Sequence, residues 1–308
     1  MGKIIAIAKS AQKGTKKTAV TQARLIVEHG IEGDAHAGRW HRQVSLLAAQ
    51  AIAEFQAQHL PVQYGDFGEN LVLDGFDVVN LPVGTRLQIG KAILEVTQIG
   101  KECHTHCAIF QQVGACIMPH EGVFARVLHG DVIHVGDEVS LMQGKLPLEA
   151  AVITASDKAS RGEREDLAGP KAQELLEAAG YHVVEVKVLP DEQDRLAAAM
   201  RAYGDEGVSL VMTTGGTGFS PRDVTPEALL SVMDREAQGI AEAMRQQSLA
   251  ITPRAMLSRA RAGIYKRTLL VNLPGSPKAV AECLHFILPT LQHGLRILLG
   301  DDGECARS

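Results

Sequence analysis

Val208-Ser209-Leu210-Val211-Met212-Thr213-Thr214-Gly215-Gly216-Thr217-Gly218 sets a nearly continuous apolar run directly against a loop of glycine and threonine. An apolar run of this length without alternation reads as a strand buried on both faces, the habit of parallel sheets. Outward from it, strand and helix patterns alternate. AAVITA (150–155) is a second buried strand, PKAQELLEAAG (170–180) an amphipathic helix closed by Gly180, and HVVEVKVL (182–189) a third strand. Helical patterns near 191–203, 226–233 and 236–247 precede the strand TLLVNL (268–273), and further helices run on from Pro277. This order predicts an α/β three-layer domain with a mostly parallel sheet covered on both faces.

The preceding half has another texture. IIAIA, QVSLLA, ENLVLDG, TRLQIG and AILEVTQIG alternate and are separated by Gly, Asp and Pro turns, which predicts a strand-rich β-barrel or sandwich with one helix near 48–58. Turns are expected at 127–130 and 135–136. The segment MQGKLPL (142–148) carries Gly and Pro and no helical period, so the expected domains are 1–145 and 146–308. The halves also differ in chemistry, because nine of the twelve histidines and three of the five cysteines precede Lys145.

With 308 residues and 45% apolar content the chain can bury two cores of ordinary size. A formal charge of −5, with no dense Lys/Arg footprint, argues against a nucleic-acid partner. No stretch reaches the roughly 20 apolar residues of a membrane span, and the odd, uneven set of five cysteines argues against a disulfide framework. The expectation is a cytoplasmic protein.

Open α/β sheets bind ligands where strand ends pass into helix starts. The loop Thr213–Gly218 offers backbone N–H groups to an anion through its glycines, and threonine hydroxyls as further donors. Asn272-Leu273-Pro274-Gly275-Ser276-Pro277-Lys278 leads into a helix start suited to a second anionic group. Thr154-Ala155-Ser156-Asp157-Lys158-Ala159-Ser160 follows the first strand, with Asp166 beyond it; capping alone would also explain Ser156 and Asp157. Asp191, in Leu189-Pro190-Asp191-Glu192, and Asp223, in Arg222-Asp223-Val224-Thr225-Pro226, would sit at strand ends beside the loop, although Asp191 could simply cap a helix. A polyphosphate held by an acidic domain calls for a bridging cation, and Mg²⁺ is the expected one. Arg222 could steady a released pyrophosphate or form an internal ion pair with its neighbour. No GxxxxGK[ST] motif is present, so an ordinary P-loop is excluded.

TTGGTG with RDVTPEA, SDKAS with a following Asp, LPDE and LPGSPKAV together resemble the MogA/MoaB molybdopterin adenylyltransferase family over nearly all of 149–308. The resemblance implies attack of the molybdopterin phosphate on the α-phosphate of Mg-ATP, giving adenylylated molybdopterin and pyrophosphate. It places the key carboxylates, catalytic and metal-binding, at Asp191 and Asp223. It assigns nucleotide and pterin to Thr214, Gly215, Gly216, Thr217, Gly218, Pro274, Gly275 and Ser276, with Ser156 and Asp157 nearby. It further implies a homo-oligomer, a trimer through this domain.

In the first half, Gly33-Asp34-Ala35-His36-Ala37-Gly38, Arg42-Gln43-Val44-Ser45-Leu46, Gly65-Asp66-Phe67-Gly68-Glu69-Asn70-Leu71 and Val135-Gly136-Asp137-Glu138-Val139 form an ordered set that resembles the MOSC domain across 2–142. That family is a strand-rich barrel associated with molybdenum cofactor and with sulfur carried on a cysteine, which falls here on Cys103. The run Cys103-His104-Thr105-His106-Cys107, with Cys116 later, leaves three readings open: a thiolate carrying persulfide or ligating molybdenum, a zinc site, or buried inert thiols. His36 and His41 could position phosphate or face solvent. The combined expectation is a two-domain enzyme of molybdenum-cofactor synthesis that passes product to a molybdate insertase or molybdoenzyme. A non-catalytic carrier of the pterin is the alternative, and molybdate insertion itself would need further domains.

Overall fold

The computed structural model describes residues 1–58, 62–101 and 115–300, and divides the chain into two compact units, Met1–Gly144 and Lys145–Ser308. In the first unit β1 (Gly2–Lys9), β5 (Val44–Ala48), β6 (Leu71–Asp74), β7 (Arg86–Ile89), β8 (Ala92–Ile99), β9 (Val123–His129) and β11 (Glu138–Leu141) close a seven-strand barrel. Its order is β11-β7-β8-β9-β5-β6-β1, and the ring shuts where β1 pairs back to β11, Gly2 opposite Val139. Only β5 and β6 run parallel within the ring. The pairs β2 (Thr18–Val20) with β1, and β3 (Gln22–Ile26) with β4 (Gly30–Ile31) and β10 (Val132–His134), lie outside it.

Strand β5 shows why the barrel forms here. Its Val44 and Leu46 enter the central core with Ile4, Ile7, Leu71, Leu94 and Val127, while Leu47 turns outward onto Ile52 and Phe55 of α1 (Ala49–Gln58). Each of these side chains, fully removed from water, stabilises by roughly 1.5–3 kcal/mol. The turn expected at 127–130 begins later, because Val127–His129 complete β9, whose alternate side chains are all drawn inward. The short helix α2 (Met118–Glu121) precedes that strand.

A buried polar network sits among these strands. Asp34 Oδ2 accepts from Lys17 Nζ (3.0 Å), Ser10 N (3.1 Å) and Asn70 Nδ2 (3.2 Å), and its Oδ1 accepts from His36 N (2.9 Å). Burial would raise Asp34, but hydrogen bonding from His36 and the charge of Lys17 outweigh it and hold the carboxyl well below its ordinary range. Burial lowers Lys17, against the pull of Asp34 and Glu69. Glu69 is the opposite case: fully buried, it is pushed up to about 7 by desolvation, although Gly65 N donates to it at 2.6 Å.

A carboxyl raised in the folded state binds more protons than in the unfolded chain between the two pKa values, so stability falls across that interval as pH rises. The first unit is therefore expected to lose on the order of 3 kcal/mol between about pH 4.5 and 7 through this residue. Denaturant titrations of Glu69→Gln should show that slope removed; an unchanged slope contradicts the assignment.

The second unit carries a six-stranded sheet of order β13-β12-β14-β17-β16-β15, made of β12 (Glu149–Ala155), β13 (His182–Leu189), β14 (Leu210–Thr214), β15 (Arg235–Glu236), β16 (Ala262–Tyr265) and β17 (Thr268–Leu273). The first four in that order are parallel, and β16 and β15 add antiparallel at one edge. Helices α3 (Asp157–Ser160), α4 (Ala168–Ala178), α5 (Gln193–Glu206), α6 (Thr225–Leu230), α7 (Gln238–Leu249) and α8 (Pro277–Leu299) fill the connections. Leu196, Met200 and Leu229 of α5 and α6 cover one face through Ile153, Val211 and Leu270, while α4 and α8 pack together and touch β12 and β17. The segment after Pro277 is one continuous helix running through Pro289, and Gly300, at φ 71°, ends it. Among the described residues no helix is long and apolar enough to cross a membrane.

Candidate active site

Three loops leave the carboxyl ends of β12, β14 and β17 at one edge of the second unit's sheet. The β14 loop approaches its neighbours backbone to backbone. Gly215, at φ 85°, lies so close to Ala155 O that a Cβ would stand 2.5 Å away, and a Cβ on Gly275 would meet Gly215 Cα at 3.2 Å. Two loops distant in sequence thus form one floor. Gly216, at φ 62°, stacks over the buried Thr225 hydroxyl, 2.2 Å from where a Cβ would be.

Both carboxylates border this floor. Asp191 Oδ1 lies 3.2 Å from the position of a Cβ on Gly216, and Asp223 Oδ2 lies 2.9 Å from that on Gly218. Asp191 does not cap α5, whose N-cap is Glu192 and has no side-chain bond. Instead it exchanges backbone bonds with Asp157: Asp157 N donates to Asp191 Oδ2 (2.8 Å) and Asp191 N donates to Asp157 Oδ1 (3.1 Å). Asp223 Oδ2 accepts from Ser220 N at 3.0 Å. Burial raises Asp191, and the charges of Asp157 and Asp223 raise it further. A carboxylate in a field of its own sign, beside a second carboxylate, is a setting that a divalent cation relieves.

The remaining candidates divide. Arg222 pairs with Asp157 through two bonds of 2.9 Å, and it is this pairing that holds Asp157 below the ordinary carboxylate range. Its partner is therefore across the loops, and Asp223 beside it is left for other work. Ser156 and Ser276 spend their hydroxyls on capping, accepting from Ala159 N and Ala279 N at 3.2 Å each. Two of the threonines expected as anion donors are bonded within the sheet, Thr214 Oγ1 donating to Thr154 Oγ1 (3.1 Å) and Thr213 Oγ1 accepting from Asn272 Nδ2 (2.9 Å), all buried, while Thr217 lines a cavity. Asp166 is consumed by Thr154 Oγ1 and by the first amides of α4. The floor thus offers an anion backbone N–H groups and few hydroxyls.

Cavities open on both sides of the floor. One, of about 210 Å³, is lined by Ser156, Arg164, Thr214, Gly215, Gly275 and Pro277. The other, of about 280 Å³ and largely apolar, is lined by Thr217, Gly218, Met244, Arg245, Leu257, Pro274 and Cys283. Gly216→Ala is expected to weaken binding of a polyphosphate anion at this floor by about tenfold or more, because the new methyl must displace Thr225 or the loop. Gly239→Ala, with open space around it, is the control. Equal affinities by calorimetry would contradict the assignment.

In the first unit, a cavity of about 120 Å³ is lined by His36, Trp40, Arg42, Ser45, Asn70, Lys101, Cys116 and Phe124. The Arg42 guanidinium stacks 4.8 Å from the Trp40 ring and 5.6 Å from Phe124. Three basic side chains and, among the described residues, no carboxylate line the space. His41 packs edge-on against Trp40, ring centroids 6.0 Å apart, and is bonded to Gln98 at 2.9 Å. Cys103, His104, His106 and Cys107 lie outside the described residues; Cys116 is the one candidate thiol of this unit that is described. No group of three or more metal-binding side chains occurs among the described residues.

Comparison with known proteins gives two family matches, residues 151–293 to "Probable molybdopterin binding domain" and residues 33–140 to "MOSC domain". A molybdopterin adenylyltransferase of Helicobacter pylori is 40% identical over 157 residues, covering 50% of this chain and 89% of that protein. Gephyrin of Dictyostelium discoideum is 41% identical over 157 residues, 48% of this chain, and the match spans only 22% of gephyrin's length. The solved molybdopterin biosynthesis Mog protein of Mycobacterium ulcerans is 36% identical, with 51% of this chain and 99% of that one covered at a TM-score of 0.48.

Proposed function

The chain belongs to the molybdopterin adenylyltransferase family through its second unit and carries a MOSC domain in its first, and from this we propose that the second unit transfers AMP from ATP to the phosphate of molybdopterin. The observation that carries the reading is the convergence of Asp191 and Asp223 on Gly216 and Gly218. In the reaction an oxygen of the pterin phosphate bonds to the α-phosphorus, the bond from that phosphorus to the bridging oxygen breaks, and the electron pair leaves with pyrophosphate. Such displacements need placement and charge neutralisation more than covalent help. Mg²⁺ held by Asp191 and Asp223 would supply neutralisation of the phosphates. The amides of the β14 loop hold phosphate oxygens, and the two cavities flanking the shared floor receive the two substrates. Arg222, released from Asp157, is within the same loop system to meet the leaving pyrophosphate.

We further infer that the first unit binds or sulfurates a later, phosphate-bearing form of the cofactor. The stacked Arg42 guanidinium, His36 and Lys101 suit its anionic part, and the reactive thiol is assigned to Cys103. Assembly as a homo-oligomer and delivery to an insertase or molybdoenzyme belong to the same reading.

The test is incubation of the full chain with molybdopterin, ATP and Mg²⁺. Adenylylated pterin and pyrophosphate are expected in equal amounts. Tight pterin binding without ATP consumption would instead establish the carrier alternative.

A further inference from the structure

One arginine outside the three strand-end loops holds more of the site than any residue inside them. Arg259 lies between the 3₁₀ turn Pro253–Leu257 and β16. Its backbone N donates to Thr217 O at 2.9 Å. Its guanidinium then reaches along the same segment, Nε to Gly218 O at 2.7 Å, Nη2 to Asp223 O and Nη1 to Glu227 Oε1. All four acceptors belong to the β14 loop or to α6 behind it.

The geometry has a directional consequence. In a planar trans peptide the C=O and the following N–H point in opposite directions. Drawing the carbonyls of Thr217 and Gly218 toward Arg259 therefore turns the amides of Gly218 and Phe219 away from it. A glycine loop has no side-chain bulk to choose between peptide orientations, and Gly215, Gly216 and Gly218 leave this one especially free. The bond to Asp223 O fixes the backbone that carries the second carboxylate. Only a guanidinium can do this, because its donors form a rigid planar fork, whereas a lysine ammonium is a single point charge.

We propose that Arg259 is a positioning residue of the adenylyl-transfer site: it orients the peptide planes of residues 217–223 so that the amides face the phosphates and Asp223 faces the metal, with Glu227 as the anchor of its outer nitrogen. The inference rests on the adenylylation reading for its kinetic consequence, and on the hydrogen bonds alone for its structural one.

The test uses the full chain carrying Arg259→Ala or Arg259→Lys. Both variants should lose kcat by about 10²-fold with the KM for ATP changed far less, because the contacts being misaligned tighten in the transition state. Added guanidinium ion should restore part of the kcat of Arg259→Ala and none of that of Arg259→Lys, whose side chain fills the space; a merely structural role would give no such selective rescue. Hydrogen exchange is read in parallel, and the amides of 217–223 should exchange about tenfold faster in both variants while those of β12 stay slow. If Arg259→Ala fails to fold, Arg259→Lys, which keeps the charge and stem, decides the exchange and the kcat. Wild-type kcat, absent rescue in a folded Arg259→Ala, or wild-type exchange at 217–223 overturns the inference. If the unaltered chain makes no adenylylated product, the adenylylation reading falls by itself, and the exchange rates still decide whether Arg259 orders the loop.

Discussion

Asp223→Asn and Asp191→Asn are each expected to lower the rate of adenylyl transfer by roughly 10²–10³-fold while leaving the second unit folded. Asparagine keeps the shape and one carbonyl oxygen, so Asp191→Asn can still accept from Asp157 N and Asp223→Asn from Ser220 N. What disappears is the negative charge beside Gly216 and Gly218. If the two carboxylates share one cation, the double variant should lose little more than the worse single variant, because the second removal takes away an interaction already broken. Pyrophosphate release at saturating ATP measures this, with Mg²⁺ titrated in each variant. Losses that multiply independently would separate the two carboxylates into different jobs, and retention of wild-type turnover in Asp223→Asn would remove the metal assignment.

The largest expected effect on stability lies in the first unit. Asp34→Ala leaves Lys17, with its side chain 1% exposed, as a buried charge without its carboxylate, a situation that costs roughly 3–5 kcal/mol. Replacing both, Lys17→Met with Asp34→Leu, should recover only part of that loss: no ion is left to desolvate, but Ser10 N, His36 N and Asn70 Nδ2 lose their acceptor. Trp40 is the chain's one tryptophan, so denaturant melts followed by its fluorescence report on this unit. A single variant as stable as the parent would show that Lys17 relaxes to solvent at little cost. The pH behaviour has a definite sign as well: Asp34, depressed in the fold, stabilises above its unfolded pKa, and this contribution fades only as pH drops through its much lower folded value. Glu69 acts in the opposite sense, so the first unit should be most stable on the acid side of neutrality.

The core strands β12, β14 and β17 were legible because both their faces are covered and their apolar runs are unbroken. β15 and β16 were not, being two and four residues long, with a pattern that a loop could equally carry. Expected helix limits drifted by a few residues, and Glu236, read as helix, is strand, since Asp234 and Ala237 bond across to Ile264 and Ala262. The candidate site was legible as residue types placed at strand ends, and the fold brings Asp191 and Asp223 beside Gly216 and Gly218. Hydroxyl direction was not: the Thr213 hydroxyl is bonded to Asn272 and that of Thr214 to Thr154, while Thr214 itself lines the cavity beside Gly215. Arg222 was read as steadying pyrophosphate or pairing with its sequence neighbour, and its ion-pair partner proved to be Asp157, 65 residues away. Arg259 carried no local signal, because its acceptors are main-chain carbonyls that any sequence supplies. In the barrel, Asp34 and Asn70 each read as turn chemistry, and nothing marks Lys17 as the cation that donates with Asn70 to Asp34.

The seam between β1 and β11 joins the unit's first strand to its last, so the ring can shut only after nearly all of the unit exists. Pairings of such separation are entropically slow to form. During synthesis β1 therefore waits with an open edge and the apolar stretch IIAIA uncovered, a segment that could recruit another nascent chain. Lys3 and Lys9 flank it, and their charges would discourage such strand-to-strand capture until Glu138 and Val139 arrive.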